Sequence, residues 1–448
     1  MAVFATDQPL VECGRYIAVA ADCGACHRQA INHGVPFAGG YAIESPMGRI
    51  IASNITPSKQ YGIGNYSEQQ FANAVREGIA ADGRNLYPAM PYTSYRDMTT
   101  ADVQALYAYF MQGVEPADFP PSTRTDLSFP FNVRQIMWGW NLLFLSGTSA
   151  DKAEALPGSL ERGKYLVEVL AHCSACHTPR NIMMAEQNSL NLSGSSLGGW
   201  YAPNITPDKS GIGDWSQRDL VTYLKTGHLA GKAQAAGAMA EAVENSFSLM
   251  TDDDLNAMAA WVKQVPAIPT AIPDRSIQPP ADVSDINTII TGQGALADRS
   301  TTDGAKLYEN ACASCHGHKG QGTDDSFYPS LTRNRAVSAL GAQNLVMAIV
   351  EGIQRKTSNT DISMPAFAEQ LNNAQIASIS NYVHSRFAGI DDKMTAQDVQ
   401  ILRDGGVPPF IVRYINWLMA LGTLMIVGLL GGIWYWRKVK RSGGQQIR

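Results

Sequence analysis

Three short stretches of this chain carry residue types suited to holding a metal macrocycle. They read Cys23-Gly24-Ala25-Cys26-His27, Cys173-Ser174-Ala175-Cys176-His177 and Cys312-Ala313-Ser314-Cys315-His316. Two thiols separated by two residues and followed at once by an imidazole form the attachment pattern of c-type haem. The thiols add to the vinyl groups as thioethers, and the histidine is then held under the ring as an axial iron ligand. Half of a zinc site is the competing reading. Zinc needs two further ligands, usually a second Cys or His pair at close spacing, and no copy has such a pair nearby.

An electron-transfer iron wants its second axial position filled, and methionine sulfur opposite histidine raises the potential. Met90 lies 63 residues after His27 and Met364 lies 48 after His316, each followed by proline. Proline pushes the residue before it out of helix, which marks a loop. The second stretch has no Met-Pro. Met239, 62 residues after His177, matches the first spacing better than Met250 does. The expected iron ligands are therefore His27 with Met90, His177 with Met239, and His316 with Met364. A core gap-filler is the bland reading of any methionine. His33, His172, His228, His318 and His384 sit at no repeated position and read as structural or exposed, with His228 a rival to Met239.

Each motif needs a helix before it and a helix to close the domain. Cys13 to Ala21 is apolar at helical spacing and places the first motif at a helix end. A Gly-, Pro- and Ser-rich loop with short extended pieces follows. The pattern then predicts a helix over Ser67 to Ile79, with Phe71, Ala74 and Val75 on one face, and a closing helix over Thr100 to Gln112. The second copy repeats this order. SNITPSKQYGIGNYS returns as PNITPDKSGIGDWS, and Gly78 returns as Gly227. Lys164 to Leu170 leads into the second motif, and a closing helix runs from Asp252 to Val265. The third copy is shorter, with Gly304, Leu307 and Tyr308 ahead of its motif and a closing helix over Asn373 to Phe387. Tyr109, Trp261 and Tyr382 occupy one slot in the three closing helices and read as packing residues. Such self-similarity argues duplication of a haem module.

The expected fold is mostly α: three cytochrome c-like haem domains in tandem plus one C-terminal transmembrane helix. The expected divisions are 1–148, 149–265, a Pro-rich linker over 266–300, 301–390, a linker over 391–414, a span over 415–436 and a tail over 437–448. Proline makes the 266–300 stretch extended and semi-stiff.

The 448 residues carry net charge -5 and no basic run suited to nucleic acid. Six of the seven cysteines belong to the motifs, so this is no disulfide framework. Cys13 is expected as a small buried thiol. The opening MAVFATDQPLVE has neither a positive n-region nor a long apolar core, although covalent haem attachment takes place outside the bacterial cytoplasm. A trimmed form, or a signal upstream of Met1, is the expectation.

From Ile415 to Trp436 run 22 residues without a charge, enough to cross a bilayer core of ~30 Å. Arg437, Lys438, Lys440 and Arg441 follow, which sets the tail in the cytoplasm and the haem domains across the membrane. Phe129 to Leu145, FPFNVRQIMWGWNLLFL, is too short to span. It reads either as an interfacial helix near a quinone or, preferred, as an inter-domain or subunit-packing helix. Asp252, Asp253 and Asp254 read as the solvated first turn of a helix, and Arg180 as a haem-propionate partner or a solvent-facing residue.

With the three motifs, ASNITP and APNITP, GIGNYS and GIGDWS, LYPAMPY, AHCSACHTPR and MPAF, the chain resembles the three-haem cytochrome c subunits of membrane-bound periplasmic dehydrogenases. These serve alcohol, aldehyde, fructose, sorbitol and gluconate dehydrogenases, and the WNLLF segment leans toward the alcohol or aldehyde type. The resemblance implies a separate catalytic subunit with its own cofactor, possible company from a small third subunit, and delivery of electrons to ubiquinone in the inner membrane of a Gram-negative bacterium. It carries over the six cysteines and the three His–Met pairs named above; the middle pair departs from the pattern, because Ala240 follows Met239 in place of proline. On this reading the chain has no substrate chemistry of its own. The rivals are a catalytic multihaem cytochrome acting on peroxide or a sulfur compound, which needs an open iron position, and the cytochrome c subunit of a terminal oxidase, which usually carries its anchor before its haem domains.

Overall fold

The computed structural model describes residues 8–29, 34–120, 123–145, 158–270, 298–332, 334–339, 341–358, 360–391 and 393–443. Three helical modules follow one another, each framed by an opening and a closing helix. The opening helices are Gln8–Ala20, Leu160–Tyr165 and Gly304–Ala311; the closing helices are Thr100–Ala108, Asp252–Val262 and Asn373–Val383. A wide turn extends three of the six: Tyr109–Gly113, Leu166–Leu170 and His384–Ala388.

The opening and closing helices cross at van der Waals contact, and glycine permits it. A Cβ on Gly14 would lie 1.9 Å from the Ala105 carbonyl oxygen. One on Gly163 would lie 2.0 Å from that of Ala257, and one on Gly304 2.2 Å from that of Ser378. Beside these glycines stand Tyr109, Trp261 and Tyr382, each with its Cβ against the same point. The shared aromatic slot is therefore a packing slot at the helix crossing. The closing helices contribute fully buried side chains, among them Leu255, Met258, Ile376 and Ile379, and the opening helix of module three adds Leu307. Each such side chain adds about 1.5–3 kcal/mol relative to exposure. Modules one and two share one continuous apolar core, whereas module three has its own.

The repeated middle helices, Glu68–Glu77 and Gln217–Thr226, start on capping boxes (Ser67 with Gln70, Ser216 with Asp219). They end on left-handed Gly78 and Gly227. Both devices satisfy backbone groups that a helix end leaves bare. The NIT repeats latch the chain that leaves each closing helix. Asn54 Nδ2 donates to the Ala117 carbonyl at 2.9 Å, and Asn204 Nδ2 to that of Ile268 at 2.8 Å. Among the described residues strand is short and antiparallel, as in Ala42–Ser45 with Gly48–Ile51, joined on its far side by Asp126–Leu127, and in Ile353–Lys356 with Asp361–Met364.

The C-terminal helix runs from Phe410 to Gly443. Within Phe410–Val439 the most apolar 18 residues have a mean hydropathy of 1.9 and none of them is buried against the rest of the chain, so the helix is a candidate membrane anchor.

Several sequence expectations change. Residues 391–414 are not simply a linker: Ala396–Arg403 is a helix, and its Val399 and Leu402 are buried in the core of module three. Cys13 is exposed rather than buried, because the opening helix turns Gly14, Ile17 and Ala18 inward. Asp254 is not solvated. It is 5% exposed and takes two hydrogen bonds from Arg162, at 3.0 and 2.9 Å, and one from the Tyr16 hydroxyl at 2.7 Å. That triad ties module one to module two. Of the 266–300 stretch, residues 271–297 lie outside the described residues, while Ile268 and Thr270 dock on Thr206 and Ser210.

Candidate haem-attachment sites

Each motif forms a single helical turn that positions two thiols and one imidazole. The imidazoles share one environment. His27 Nδ1 lies 2.7 Å from the Ser53 carbonyl oxygen, His177 Nδ1 2.7 Å from that of Pro203, and His316 Nδ1 3.0 Å from that of Pro329. A carbonyl only accepts, so Nδ1 carries the proton and Nε2 keeps its lone pair, the form a metal ion binds. Burial holds all three imidazoles below their ordinary range, against the opposing pull of the carbonyl bond. They are neutral near pH 7.

The main chain of each histidine is fixed as well. Its carbonyl accepts an N–H from a glycine of positive φ: Gly39 for His27, Gly194 for His177 and Gly322 for His316. No Cβ fits at these glycines: the backbone of Ser53, the Tyr201 hydroxyl and the Tyr328 carbonyl stand at 2.4, 2.5 and 2.3 Å. Sequence reading missed this device, since the spacing from histidine to glycine differs in each copy.

Burial pushes the thiols of Cys23, Cys26, Cys173 and Cys312 up to about 12 and raises that of Cys176. Low thiolate content slows oxidation to a disulfide, and all six motif cysteines are free. Two thiols, a neutral imidazole with Nε2 available and an apolar surround fit a covalently held haem.

The candidate methionines are all half-buried. Met90 lies in the turn from Tyr87 to Tyr92, packed between two apolar clusters. Met239 sits in the first turn of the helix Gly237–Asn245, against the shared core. Met364 ends a strand and pairs with Ile353. Met250 is 1% exposed, with the Ser246 hydroxyl 4.0 Å from its sulfur; it is core.

The first two sites share a wall. The Tyr95 hydroxyl donates to the Ala21 carbonyl at 2.6 Å, just ahead of Cys23. The Tyr95 ring stacks on His172, next to Cys173, with centroids 5.5 Å apart. Arg28 donates to the Glu241 carboxylate at 2.6 Å, and the Tyr41 hydroxyl to the same carboxylate at 3.0 Å. Arg28 and Arg180 also donate to the Ala25 and Ala175 carbonyls within the motif turns. Arg180 further pairs with Glu186 at 3.4 Å. His33 lies outside the described residues; His318 pairs with Glu309 at 2.5 Å and His384 is buried.

Comparison with known proteins decides the family. Residues 160–266 match the cytochrome c family model, and residues 299–383 match that of cytochrome c oxidase, cbb3-type, subunit III. The chain is 42% identical to the fructose dehydrogenase cytochrome subunit of Gluconobacter japonicus, over 97% of this chain and 92% of the relative. It is 38% identical to the cytochrome c subunit of the quinone alcohol dehydrogenase of Gluconacetobacter polyoxogenes, over 90% and 86%. It is also 38% identical to the gluconate 2-dehydrogenase cytochrome c subunit of Pantoea cypripedii, over 90% and 92%. The chain belongs to the cytochrome c subunits of membrane-bound dehydrogenases. The oxidase-type match spans a single module, whereas these relatives align along nearly the whole chain. As a dehydrogenase cytochrome c subunit, the protein carries covalent c-type haem and moves electrons for a catalytic partner; it is not the catalytic subunit.

Proposed function

We propose that this subunit holds three c-type haems and carries electrons from a periplasmic dehydrogenase to ubiquinone in the inner membrane. The thioether pairs are Cys23 with Cys26, Cys173 with Cys176, and Cys312 with Cys315. The axial pairs are His27 with Met90, His177 with Met239, and His316 with Met364. One observation carries the reading: the same pair of bonds, Nδ1 to a loop carbonyl and main-chain carbonyl to a left-handed glycine, surrounds all three motif histidines. Iron cycling between ferrous and ferric supplies the one-electron chemistry when haem is bound. The protein fixes the imidazole tautomer and brings the first two sites together across Tyr95 and His172.

The catalytic partner oxidises a hydroxyl- or aldehyde-bearing substrate. The WNLLF segment favours the alcohol or aldehyde type, and the higher identity to a fructose dehydrogenase subunit adds sugars to the class. The membrane helix anchors the chain with the haem modules in the periplasm and the basic tail in the cytoplasm, by the positive-inside rule. Purification from membranes in mild detergent tests the assignment. The expected result is three haems per chain together with a copurifying dehydrogenase, and two haems per chain in a Cys315→Ser variant. A five-coordinate haem with peroxide turnover and no copurifying subunit would overturn it.

A further inference from the structure

The histidine outside the motifs that competes with Met239 in the sequence, His228, has a different position. It lines a cleft of about 260 Å3 between modules two and three. Leu229, Lys232 and Gln234 line one wall, and Gln321, Pro329 and Ser330 line the other. The Arg335 amide, donating to the Lys232 carbonyl at 3.0 Å, holds the two modules together beside it.

A relay of hydrogen bonds sets which proton His228 presents. Arg355 extends from module three into module two and is 1% exposed. Its guanidinium only donates. It donates to the Ala235 carbonyl at 2.8 Å and to Gln234 Oε1 at 3.0 Å. The Gln234 amide is thereby oriented with Nε2 toward His228, whose Nδ1 lies 2.6 Å away. An amide nitrogen donates, so His228 Nδ1 accepts and the ring proton resides on Nε2. Partial burial, and the nearby Arg355 cation after it, hold His228 below the ordinary imidazole range. The ring is a neutral N–H donor.

The opposite wall belongs to the third motif. Pro329, which lines the cleft, supplies the carbonyl that takes the His316 Nδ1–H. A ligand in the cleft is therefore one residue removed from the axial imidazole of the third site. Module three is also the one tethered to the anchor. The helix Ala396–Arg403 is part of its core, and residues 404–409 then lead to Phe410.

The geometry points to this cleft as the binding site for the headgroup of the quinone acceptor, with His228 Nε2–H donating to one quinone carbonyl. This assignment rests on the proposed ubiquinone reductase role and names its site. Leu229, Ala233 and Pro329 offer apolar surface to the ring, and the polar rim admits water. Reduction of one quinone takes two electrons, each from an iron passing from ferrous to ferric. It also takes two protons from water in the open cleft, and both carbonyl oxygens become hydroxyls.

Titration calorimetry of the detergent-purified full chain with ubiquinone-1 tests the site. Loss of one neutral hydrogen bond predicts about ten-fold weaker binding in His228→Leu. His228→Gln, which restores an N–H donor, is expected within about three-fold of the native chain, because the hydrogen bond is kept with altered geometry. Both variants are expected to hold the native haem content. Unchanged ubiquinone-1 affinity in a haem-replete His228→Leu chain would overturn the cleft assignment and leave the acceptor reading standing. Failure of the native complex, supplied with its reducing substrate, to reduce ubiquinone-1 would instead overturn the acceptor reading, and the site with it.

Discussion

Adding one methyl group at Gly163 tests how the modules are framed. The new Cβ of Gly163→Ala would stand 2.0 Å from the Ala257 carbonyl oxygen and 2.5 Å from its carbon. Ordinary contact begins near 3.4 Å, so the opening and closing helices must part by about 1.4 Å. A gap of 0.5–1 Å already forfeits roughly a quarter to a half of each dispersion contact across it. Over-packing of this kind costs about 1–3 kcal/mol, while alanine gains back roughly 0.5–1 kcal/mol of helix propensity. The net expectation is a loss of about 1–2 kcal/mol. Gly139→Ala is the matched control, because that glycine lies in the helix Ile136–Phe144 with nothing within 4 Å of the added methyl. There only the propensity gain remains, and the variant is expected at or slightly above native stability. Guanidinium unfolding followed by the haem Soret band reads both, since modules one and two share a core. A Gly163→Ala midpoint equal to or above the native one would refute the close-crossing argument.

Asp254→Ala leaves Arg162 buried without its carboxylate and Tyr16 without its acceptor. Breaking such a pair from one side costs about 3–5 kcal/mol, visible as a lower denaturation midpoint. Burial holds the His172 imidazole below its ordinary pKa of about 6.5. The unfolded chain therefore takes up the proton first, and stability present above pH 6.5 is lost as pH falls below it. His172→Phe keeps a ring against Tyr95 and is expected to flatten that acid slope; an unchanged slope would place the proton elsewhere. A chain ending before Phe410 is expected in the soluble fraction of washed cells, with its haem content retained; persistent membrane sedimentation would mean that another surface anchors it.

What the sequence made legible was local. The three thiol–imidazole motifs, the helix over Ser67 to Ile79 with its Gly78 and Gly227 correspondence, and the charge-free C-terminal run each announce themselves within a few residues. The packing role of Tyr109, Trp261 and Tyr382 was readable because duplication placed them in register. Their partners Gly14 and Gly163 were not, because a glycine has no side chain to mark a crossing with a helix some 90 residues away. Asp254 looked like one of three equivalent acids; only the distant Arg162 and Tyr16 single it out. The helix Ile136–Phe144 packs by one face and leaves the other exposed. Trp140 turns inward and donates to the Met183 carbonyl at 2.9 Å, while Trp138, Leu142 and Leu143 face outward.

The buried Arg355 also bears on how this protein tolerates change. Its guanidinium, with Asn344 bonded to the backbone of Tyr201 and Glu351 to the Trp200 indole, holds module three against module two. The separation of the second and third thiol–imidazole motifs is then set by these side chains. One substitution at Arg355 is therefore expected to reach beyond local packing and change the spacing between the second and third motifs.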